Sequence, residues 1–330
     1  MKKLFTAFLA LTFVFSSLFI FASCTENKNE KDTFKVGIIQ YMSHPSLDNC
    51  YEGIKTALES SALDIEIDRQ IGSGNSAEND TLSFARNMVA AEYDLIIAIA
   101  TPAAVNAYNA TDGADIPVIF CAVSDPVAAG LVSSLENPGE ACTGTSDILD
   151  LDAQVDLIQA MQPDVKKIGV IYTASETNSI SNLAVLKEIC QARNIEVVAK
   201  SVQNAADVPS AAEAVASEVD CINNFTDNNV VYNLRSVLAA AEKYNIPVYG
   251  SEVEQVSNGC LAAVSIDYVA LGKVTGEMAL NVLGGKDAKT MAVKTISDAT
   301  PVINTEVLDV LGLTLPEAYE NTAEKVTTAK

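Results

Sequence analysis

Short apolar runs alternate with amphipathic stretches of helical length along most of this chain. Each apolar run holds about five to seven residues, the length of a buried strand. In the stretch after the first run, Leu47, Tyr51, Ile54 and Leu58 recur at the spacing of one helix face. This alternation is typical of βαβ units, so the pattern predicts an α/β fold with parallel sheets.

Strands and helices are predicted from this alternation in the following positions. The predicted strands are Val36–Gln40, Ile65–Ile71, Leu95–Ala100, Val118–Ala122, Gly144–Ser146, Ile168–Tyr172, Glu196–Ser201, Cys221–Phe225, Val248–Gly250 and Ala262–Ile266. The predicted helices are Leu47–Ser60, Thr81–Ala91, Ala103–Ala110, Ala153–Met161, Ser179–Arg193, Ala211–Glu218, Val230–Tyr244 and Val269–Leu283. Most of these helices connect two strands, as crossovers between parallel strands require.

The strand pattern starts again near the middle of the chain. VGIIQY at residues 36–41 is similar to IGVIYT at 168–173, and DIPVIF at 115–120 is similar to NIPVYG at 245–250. We infer two Rossmann-like lobes of one topology, one formed by residues 34–146 plus 267–290 and the other by 147–266 plus 291–330. The chain would cross between them at Gly144–Asp150 and Ala263–Asp267. Paired crossings form a hinge, and a hinge predicts a cleft that closes.

The N-terminal residues are typical of an export signal. Residues 1–23 contain Lys2 and Lys3, then an uncharged apolar stretch and two small residues before Cys24. The last part resembles the lipobox of bacterial lipoproteins, although Phe21 stands where leucine is usual. The resemblance implies a lipidated Cys24, a polar tether at residues 24–33 and a protein anchored to the outer face of a bacterial membrane. A cleaved signal without lipid and an uncleaved anchor are the alternatives.

Charge and cysteine usage narrow the choice of partners and compartments. The net charge is −22, which disfavours nucleic acid and anionic lipid surfaces as partners. The cysteines after Cys24 show no Cys-x-x-Cys motif, and most lie inside apolar runs, so we expect buried free thiols. Cys121 with Cys142 is the one pair that merits examination as a disulfide. The six positions are Cys50, Cys121, Cys142, Cys190, Cys221 and Cys260.

A glycine-rich segment, IGSGNSA at residues 71–77, has the G-x-G-x-x-A form of dinucleotide-binding loops. In those folds the loop follows the first strand and an acidic residue ends the next one. Here the loop follows the second strand, and Asp94 precedes the third. We therefore expect no nicotinamide or other cofactor, and predict a tight turn with Asn75 or Ser76 capping the next helix.

Motifs of catalytic chemistry are missing from the sequence. His44 is the only histidine, and neither a G-x-S-x-G nor a Walker motif occurs. Clustered His and Cys ligands are also missing, so we expect no metal site. These observations favour a binding protein over an enzyme.

Polar residues follow successive predicted strands, at the edge where ligands bind in open parallel sheets. Thr101 suits the N-cap and Pro102 the first position of a helix whose N-terminus would attract a carboxylate. Recurrence of such groups in both lobes predicts a ligand site between them, with helix capping as the alternative for each residue alone. The candidate ligand-binding residues are Gln40, Tyr41, Ser43, Thr101, Pro102, Ala103, Ser124, Asp125, Tyr172, Asn178, Ser179, Thr226, Asp227, Asn228, Glu252 and Asp267.

Several segments together carry a resemblance to a known family. They are QYMSHPSLD, AIATPAA, VSDPVAAGLV, GTSD, IGVIYTASETNS, FTDNNV, YGSE and SIDYVALG. In this order they resemble the bacterial ABC-transporter substrate-binding proteins of the tryptophan/tyrosine type, from about Phe34 to Pro316. One departure is the turn Tyr172-Thr-Ala-Ser-Glu-Thr-Asn178-Ser179, where relatives commonly read Tyr-Asn-Pro-Gly-Glu-x-Asn-Ser.

The resemblance implies a type I periplasmic-binding-protein fold that traps a small solute, often an aromatic amino acid, and docks on an ABC permease. We expect a monomer. A ligand ammonium would pair with Asp227 first, with Glu252 and Asp125 as further choices. The aromatic residues that could stack on a ligand ring are Tyr41, Phe225, Tyr172 and Tyr268.

Two other functions remain open at this point. The same fold could bind a sugar or nucleoside, although none of Arg69, Arg86, Arg193 and Arg235 lies in the proposed cleft loops. The protein could instead be a ligand-sensing ectodomain, although no second long apolar run follows the lobes.

Overall fold

A computed structural model describes residues 33–296 and 299–329, and the apolar runs form strands within these ranges. The strands are β1 Phe34–Gln40, β2 Ile65–Ile71, β3 Leu95–Ile99, β4 Val118–Cys121, β5 Cys142–Ser146, β6 Lys167–Thr173, β7 Glu196–Val202, β8 Cys221–Asn223, β9 Val248–Tyr249, β10 Ala262–Ser265, β11 Lys294–Thr295, β12 Thr300–Asn304 and β13 Glu324–Val326. The α-helices are α1 Pro45–Glu59, α2 Ala77–Ala90, α3 Thr101–Ala110, α4 Leu151–Met161, α5 Thr177–Ala192, α6 Val208–Ala216, α7 Asn228–Tyr232, α8 Leu234–Tyr244, α9 Val253–Ser257, α10 Tyr268–Leu283 and α11 Thr305–Leu311.

Two parallel sheets of the same topology form the two lobes. The first has the order β2-β1-β3-β4-β5-β11, and the second has the order β7-β6-β8-β9. All neighbouring strands in both sheets are parallel. The first four strands of each lobe are therefore arranged alike, with Gly37 and Gly169 on equivalent strands. The α/β class with parallel sheets is confirmed.

The end of the chain crosses between the lobes a third time. Strand β11 pairs with β5, so the first sheet extends to Thr295, beyond the predicted boundary at residue 290. Strand β12 then pairs antiparallel with β10, and β13 pairs parallel with β12. A small sheet that begins at β10 thus completes the second lobe. The backbone N–H of Leu261, the residue before β10, donates to the carbonyl oxygen of Val248 in β9 at 2.7 Å.

One predicted helix is wrong as a continuous element. The stretch Val230–Tyr244 forms two helices, α7 and α8, which meet at Asn233 with φ −105° and ψ 20°. The Asn233 side chain donates to the carbonyl oxygen of Asn229 at 3.0 Å. Such local bonds from asparagine compete with the regular helix, and periodicity alone does not reveal them.

Helices α1 and α10 pack unusually closely in the first lobe. A Cβ at Gly272 would overlap the carbonyl oxygen of Cys50 and lie 2.9 Å from its Cα, so only glycine allows this approach. Leu47 on α1 and Tyr268 at the start of α10 are both buried beside this contact. The helix pair therefore fixes two side chains that are part of the site described below.

The six cysteines of the described ranges are free and buried. The register of β4 and β5 sets Cys142 beside Val118, so Cys121 and Cys142 are not opposite each other and form no disulfide. The predicted signal peptide and Cys24 lie outside the described residues, as does the predicted tether except Thr33. Across the ranges that are described, no helix combines the length and apolar composition that a bilayer span requires.

Candidate functional site

The carboxyl ends of the strands in the two lobes face each other across a narrow cavity. The lining comes from loops after strands of both sheets, together with two hinge residues, Asp147 after β5 and Tyr268 after β10. The hydroxyl group of Tyr268 donates to Asp147 Oδ2 at 3.2 Å, so the hinge strands are joined beside the cavity. The lining residues are His44, Leu47, Ala100, Thr101, Ala122, Ser124, Asp147, Asn178, Thr226, Asn228, Glu252 and Tyr268.

Part of the predicted site is brought together in this cavity. Ser124 Oγ of the first lobe lies 3.4 Å from Thr226 Oγ1 of the second, which shows that the two edges meet. The predicted residues that line the cavity are Thr101, Ser124, Asn178, Thr226, Asn228 and Glu252.

Three predicted residues lie at the openings on either side of the cavity. Tyr41 and Pro102 line one opening, to which Thr101 also contributes. Ser43 lines the other, which shares His44 and Glu252 with the cavity. These three side chains are rim residues in the closed arrangement of the lobes.

Other predicted residues have structural partners outside the cavity lining. Gln40 accepts a hydrogen bond from Arg69 at 2.6 Å and donates to Asp48 at 3.0 Å. Asp125 accepts from the backbone of Ala128 at 2.9 Å. Asp267 caps α10, accepting from two backbone N–H groups, and is exposed.

The remaining predicted residues pack within their own lobes. Ala103 is fully buried in α3, and Tyr172 is half-buried against the core of the second lobe. Ser179 donates to Asp227 at 2.7 Å. Of the aromatic residues predicted to stack on a ligand, Phe225 belongs to the core, and only Tyr268 lines the cavity.

Asp227, the first choice for the ammonium partner, is committed to its own lobe. Its carboxylate accepts from Thr173 N at 2.6 Å, Thr173 Oγ1 at 2.8 Å, Ser179 Oγ at 2.7 Å and Val230 N at 3.1 Å. It therefore caps α7 and ties that helix to β6. The four donors use the lone pairs that a ligand would need, so we assign Asp227 a capping role instead of the predicted pairing with an ammonium group.

His44 and Asp147 line the cavity but are missing from the candidate residues predicted above, and Tyr268 was predicted only as an aromatic residue that could stack on a ligand. Ala100 and Ala122, which follow β3 and β4 at its wall, have φ values of 80° and 56°. Positive φ is strained for alanine, and such strain concentrates at functional sites. No sequence signal distinguishes these alanines, because their backbone angles are set by the surrounding fold.

Several buried polar atoms at the cavity have no hydrogen-bond partner among the described residues. They are both imidazole nitrogens of His44, Thr101 Oγ1 and Asn178 Oδ1. The His44 ring lies near Asn228 without a hydrogen bond of good geometry, and burial lowers the pKa of His44 to about 4. Buried polar groups are nearly always paired, so these atoms have hydrogen-bonding capacity left for a polar ligand or for water.

The titratable side chains of the cavity lining include two carboxyl groups. Asp147 and Glu252 are its acidic residues, and none of the residues lining it is Lys or Arg. Burial, reinforced by the charge of Glu254, raises the pKa of Glu252 to about 8. Burial also raises the pKa of Asp147, although hydrogen bonds from Ser124 and Tyr268 oppose the effect. This lining suits a ligand that brings its own positive charge.

Glu176 supports the wall of the cavity from behind. Its Oε2 accepts from Asn228 Nδ2 at 2.7 Å, from Asn228 N at 3.1 Å and from Asn178 Nδ2 at 3.3 Å. Burial and the neighbouring Asp227 raise the pKa of Glu176 to about 8. Because Asn178 uses its amide nitrogen here, its Oδ1 is the atom left for a ligand donor.

The glycine-rich loop lies at the mouth of the cleft. Gly74 has φ +47°. A Cβ added at Gly74 would lie 3.7 Å from the hydroxyl oxygen of Tyr232 in the second lobe. The predicted capping of α2 by Asn75 or Ser76 does not form: Ser76 Oγ donates to Asp80 and to the Ser73 carbonyl oxygen. Within the described ranges, no group of three or more His, Cys, Asp or Glu is arranged to hold a metal ion.

Two α/β lobes that enclose a cavity at a three-stranded hinge define a type I periplasmic-binding protein. The sequence profile of the family described as ABC transporter substrate binding protein matches residues 35–327, so the chain belongs to this family. A protein of Clostridioides difficile (strain R20291), called tyrosine-binding protein, is 40% identical over 296 residues, which cover 88% of this chain and 83% of that protein.

Two solved structures are similar in sequence but differ in conformation. An ABC domain from Streptococcus pneumoniae in complex with L-Trp has 35% identity and a TM-score of 0.85, covering 89% of this chain and 99% of its own. The ligand-free, open structure of a substrate-binding protein with adhesive properties from Clostridium difficile has 36% identity and a TM-score of 0.66. The match covers 90% of this chain and 100% of that chain. At nearly the same identity, the structure of this chain superposes better on the L-Trp complex than on the ligand-free, open structure.

Proposed function

We propose that this protein captures a single amino acid, with an aromatic one favoured, and delivers it to an ABC importer. The observation that carries the proposal is the narrow cavity between the lobes, whose wall holds buried polar atoms without hydrogen-bond partners and two acidic side chains. The names of the tyrosine-binding and L-Trp-bound relatives support the same ligand class.

The lining offers complementary partners for both ends of an amino acid. Glu252, Asp147 and Asn178 Oδ1 are acceptors for an ammonium group. Thr101 Oγ1 and the N-terminus of α3, whose N-cap Ala100 has no capping side chain, suit a carboxylate. This assignment replaces Asp227 by Glu252 as the ammonium partner.

In the proposed cycle the ligand shifts an open–closed equilibrium and the closed form docks on the permease. The protein acts as a monomer without covalent chemistry. Export by residues 1–23 and lipidation of Cys24 would hold it at the outer face of the membrane. Mass spectrometry of the protein extracted from membranes would test the lipid, because diacylglycerol on Cys24 adds a defined mass.

Calorimetry of the compact unit from Phe34 onward against the twenty amino acids tests the ligand class. We expect an aromatic amino acid to bind most tightly. If none of the twenty binds, the amino-acid proposal is wrong, and a co-purified adduct in a native mass spectrum would then identify the true class of ligand.

Removal of the α-amino group is expected to weaken binding more than removal of the α-carboxylate. The amine faces two buried acidic residues, whereas the carboxylate relies on a hydroxyl group and helix N–H groups. L-Tyrosine, tyramine and 3-(4-hydroxyphenyl)propionate form the matched series for calorimetry. Tighter binding of the propionate than of tyramine would contradict the assigned orientation of the ligand.

Binding at pH 7 is expected to release close to one proton. Glu252 is largely protonated in the empty cavity, because its pKa is raised to about 8, and an ammonium group favours the ionised form. Affinity should therefore rise from pH 6 to pH 8. Calorimetric enthalpies measured in buffers of different ionisation enthalpy would give the number of protons, and a value of zero would contradict the pairing with Glu252.

A further inference from the structure

The carboxylate of Glu254 crosses from the second lobe to the first. Its Oε1 accepts from Asn49 Nδ2 at 2.6 Å, and its Oε2 accepts from Ser46 Oγ at 3.0 Å. Glu254 lies on the short helix α9, whereas both donors lie in the first turns of α1. Ser46 and Asn49 are three positions apart, so they are neighbours on one helix face and engage both oxygens at once.

Glu254 does not line the ligand cavity. The cavity wall includes Glu252, two residues earlier, whereas Glu254 lies at the opening lined by Ser43 and at a further surface pocket that Asn49 lines. Both described hydrogen bonds of the Glu254 side chain go to the opposite lobe. Its contacts therefore exist only while the lobes are together.

The donors and the acceptor are held on well-packed elements. Arg69 donates to Asp48 at 2.6 Å and stacks 3.8 Å from the ring centroid of Tyr51, which holds the first turns of α1 on the first lobe. On the other side, Val253 N donates to Ser265 Oγ at 3.0 Å at the start of α9. Opening of the hinge would thus separate the groups as rigid units.

Charge distinguishes this contact from the contact between neutral side chains of the two lobes, whereas the carboxylate of Asp147, which accepts from Ser124 and Tyr268, lies at the hinge. The Ser124–Thr226 contact joins two neutral hydroxyl groups at 3.4 Å. The ion pairs described for this chain each lie within one lobe. Hydrogen bonds to an ionised carboxylate are roughly twice as strong as neutral ones.

We propose that Glu254, Ser46 and Asn49 form a latch that stabilises the closed state and so sets ligand affinity and dwell time without touching the ligand. The latch rests on the proposed closure cycle and not on the identity of the ligand. The apparent affinity scales with the population of the closed state, so loss of the latch weakens every ligand by the same factor.

A charge swap across the cleft tests the latch. Asn49→Asp puts a second carboxylate against Glu254 and is expected to raise the Kd for L-tyrosine at least tenfold, mainly through faster dissociation. Adding Glu254→Gln supplies a donor to the new Asp and is expected to bring the Kd back to within about threefold of wild type. Glu254→Gln alone should weaken binding by less than Asn49→Asp does, because glutamine loses the charge but keeps an acceptor for one donor.

The single variant Asn49→Asp separates a latch from simple electrostatics. If Glu254 acted only through its negative charge on the cavity, Asn49→Asp would strengthen ammonium binding and the double variant would resemble wild type by charge alone. The tyrosine affinities of Asn49→Asp therefore have opposite expected signs in the two accounts. An unchanged or tighter Kd for Asn49→Asp would overturn the latch.

A distance measurement separates failure of the latch from failure of the proposed ligand. Spin labels on cysteines introduced at the exposed Asn87 and Val185, one in each lobe, would report the closed fraction, since the native cysteines from Phe34 onward are buried. Without ligand and with L-tyrosine or L-tryptophan, Asn49→Asp should lower that fraction and the double variant should restore it. If neither amino acid binds, the proposed function fails, and the ligand-free distances still decide the latch. The latch would be overturned if the closed fraction were equal in all variants, or if the wild-type protein showed no closed fraction.

Discussion

Replacing Glu252 with glutamine is expected to weaken L-tyrosine binding by about 100-fold or more. Glu252 is 1% exposed and lines a cavity whose wall has no Lys or Arg, so a bound ammonium group has few other sources of compensating charge. Truncating one partner of a buried charge pair costs about 2–5 kcal/mol, and 100-fold corresponds to about 2.7 kcal/mol. Calorimetry of the Glu252→Gln protein measures the loss.

The same variant makes a second, independent measurement possible. Glutamine does not titrate, so the proton release expected at pH 7 should disappear together with the rise in affinity between pH 6 and pH 8. Glu218→Gln is the matched control, because Glu218 is an exposed carboxylate of the same lobe and should leave both properties unchanged. A Glu252→Gln protein that binds like wild type would show that the ammonium pairs elsewhere, and Asp147 would be the next candidate.

Replacing Gly272 with alanine is expected to lower the free energy of unfolding by about 2–3 kcal/mol. Within a helix, glycine to alanine normally gains about 1 kcal/mol, so the expected sign is opposite to that of helix propensity. The reason is the overlap of the new Cβ with the carbonyl oxygen of Cys50, a backbone atom that cannot rotate away. Urea unfolding followed by circular dichroism gives the difference.

Gly284→Ala at the end of the same helix is the matched control. Gly284 has φ −74°, and a Cβ added there comes no closer than 3.3 Å to its neighbours, so stability should change little or rise slightly. Because Leu47 and Tyr268 lie on the two helices in contact, Gly272→Ala should also weaken ligand binding. If Gly272→Ala were as stable as wild type, the close approach of α1 and α10 would be wrong.

The elements of the fold were predictable wherever a strand or helix is long enough to carry a period. The strand Ile65–Ile71 was predicted with its observed bounds, and most predicted helices begin within a few residues of their observed starts. Strands β11 and β13 were missed because two or three residues are too few to show a hydrophobic period. Strand β11 forms by pairing with β5, and β13 forms by pairing with β12. Asn233 divides a predicted helix through its own side-chain bond.

The candidate site was predictable to the extent that it follows strand ends. Thr101 and Glu252 were found because each comes directly after a buried strand, and parallel strands end at a common edge. Asp227 satisfied the same rule but is assigned a capping role instead, because Thr173 and Ser179 take up its carboxylate. Partners that are about 50 positions away in the chain leave no trace in a local pattern.

The order of apolar and polar residues by itself determined the α/β class, the duplication of the lobes and the sheet edge at which we expect a ligand. It did so because strand and helix periods, and the direction of parallel strands, are local properties of the chain. Only the tertiary structure decided which carboxylates face the cavity. It also decided that Gly272 lies against Cys50 and that Glu254 contacts Asn49 across the cleft. Burial, register and lobe closure arise from contacts between distant segments, and these contacts set both the pKa of Glu252 and the atoms left free for a ligand.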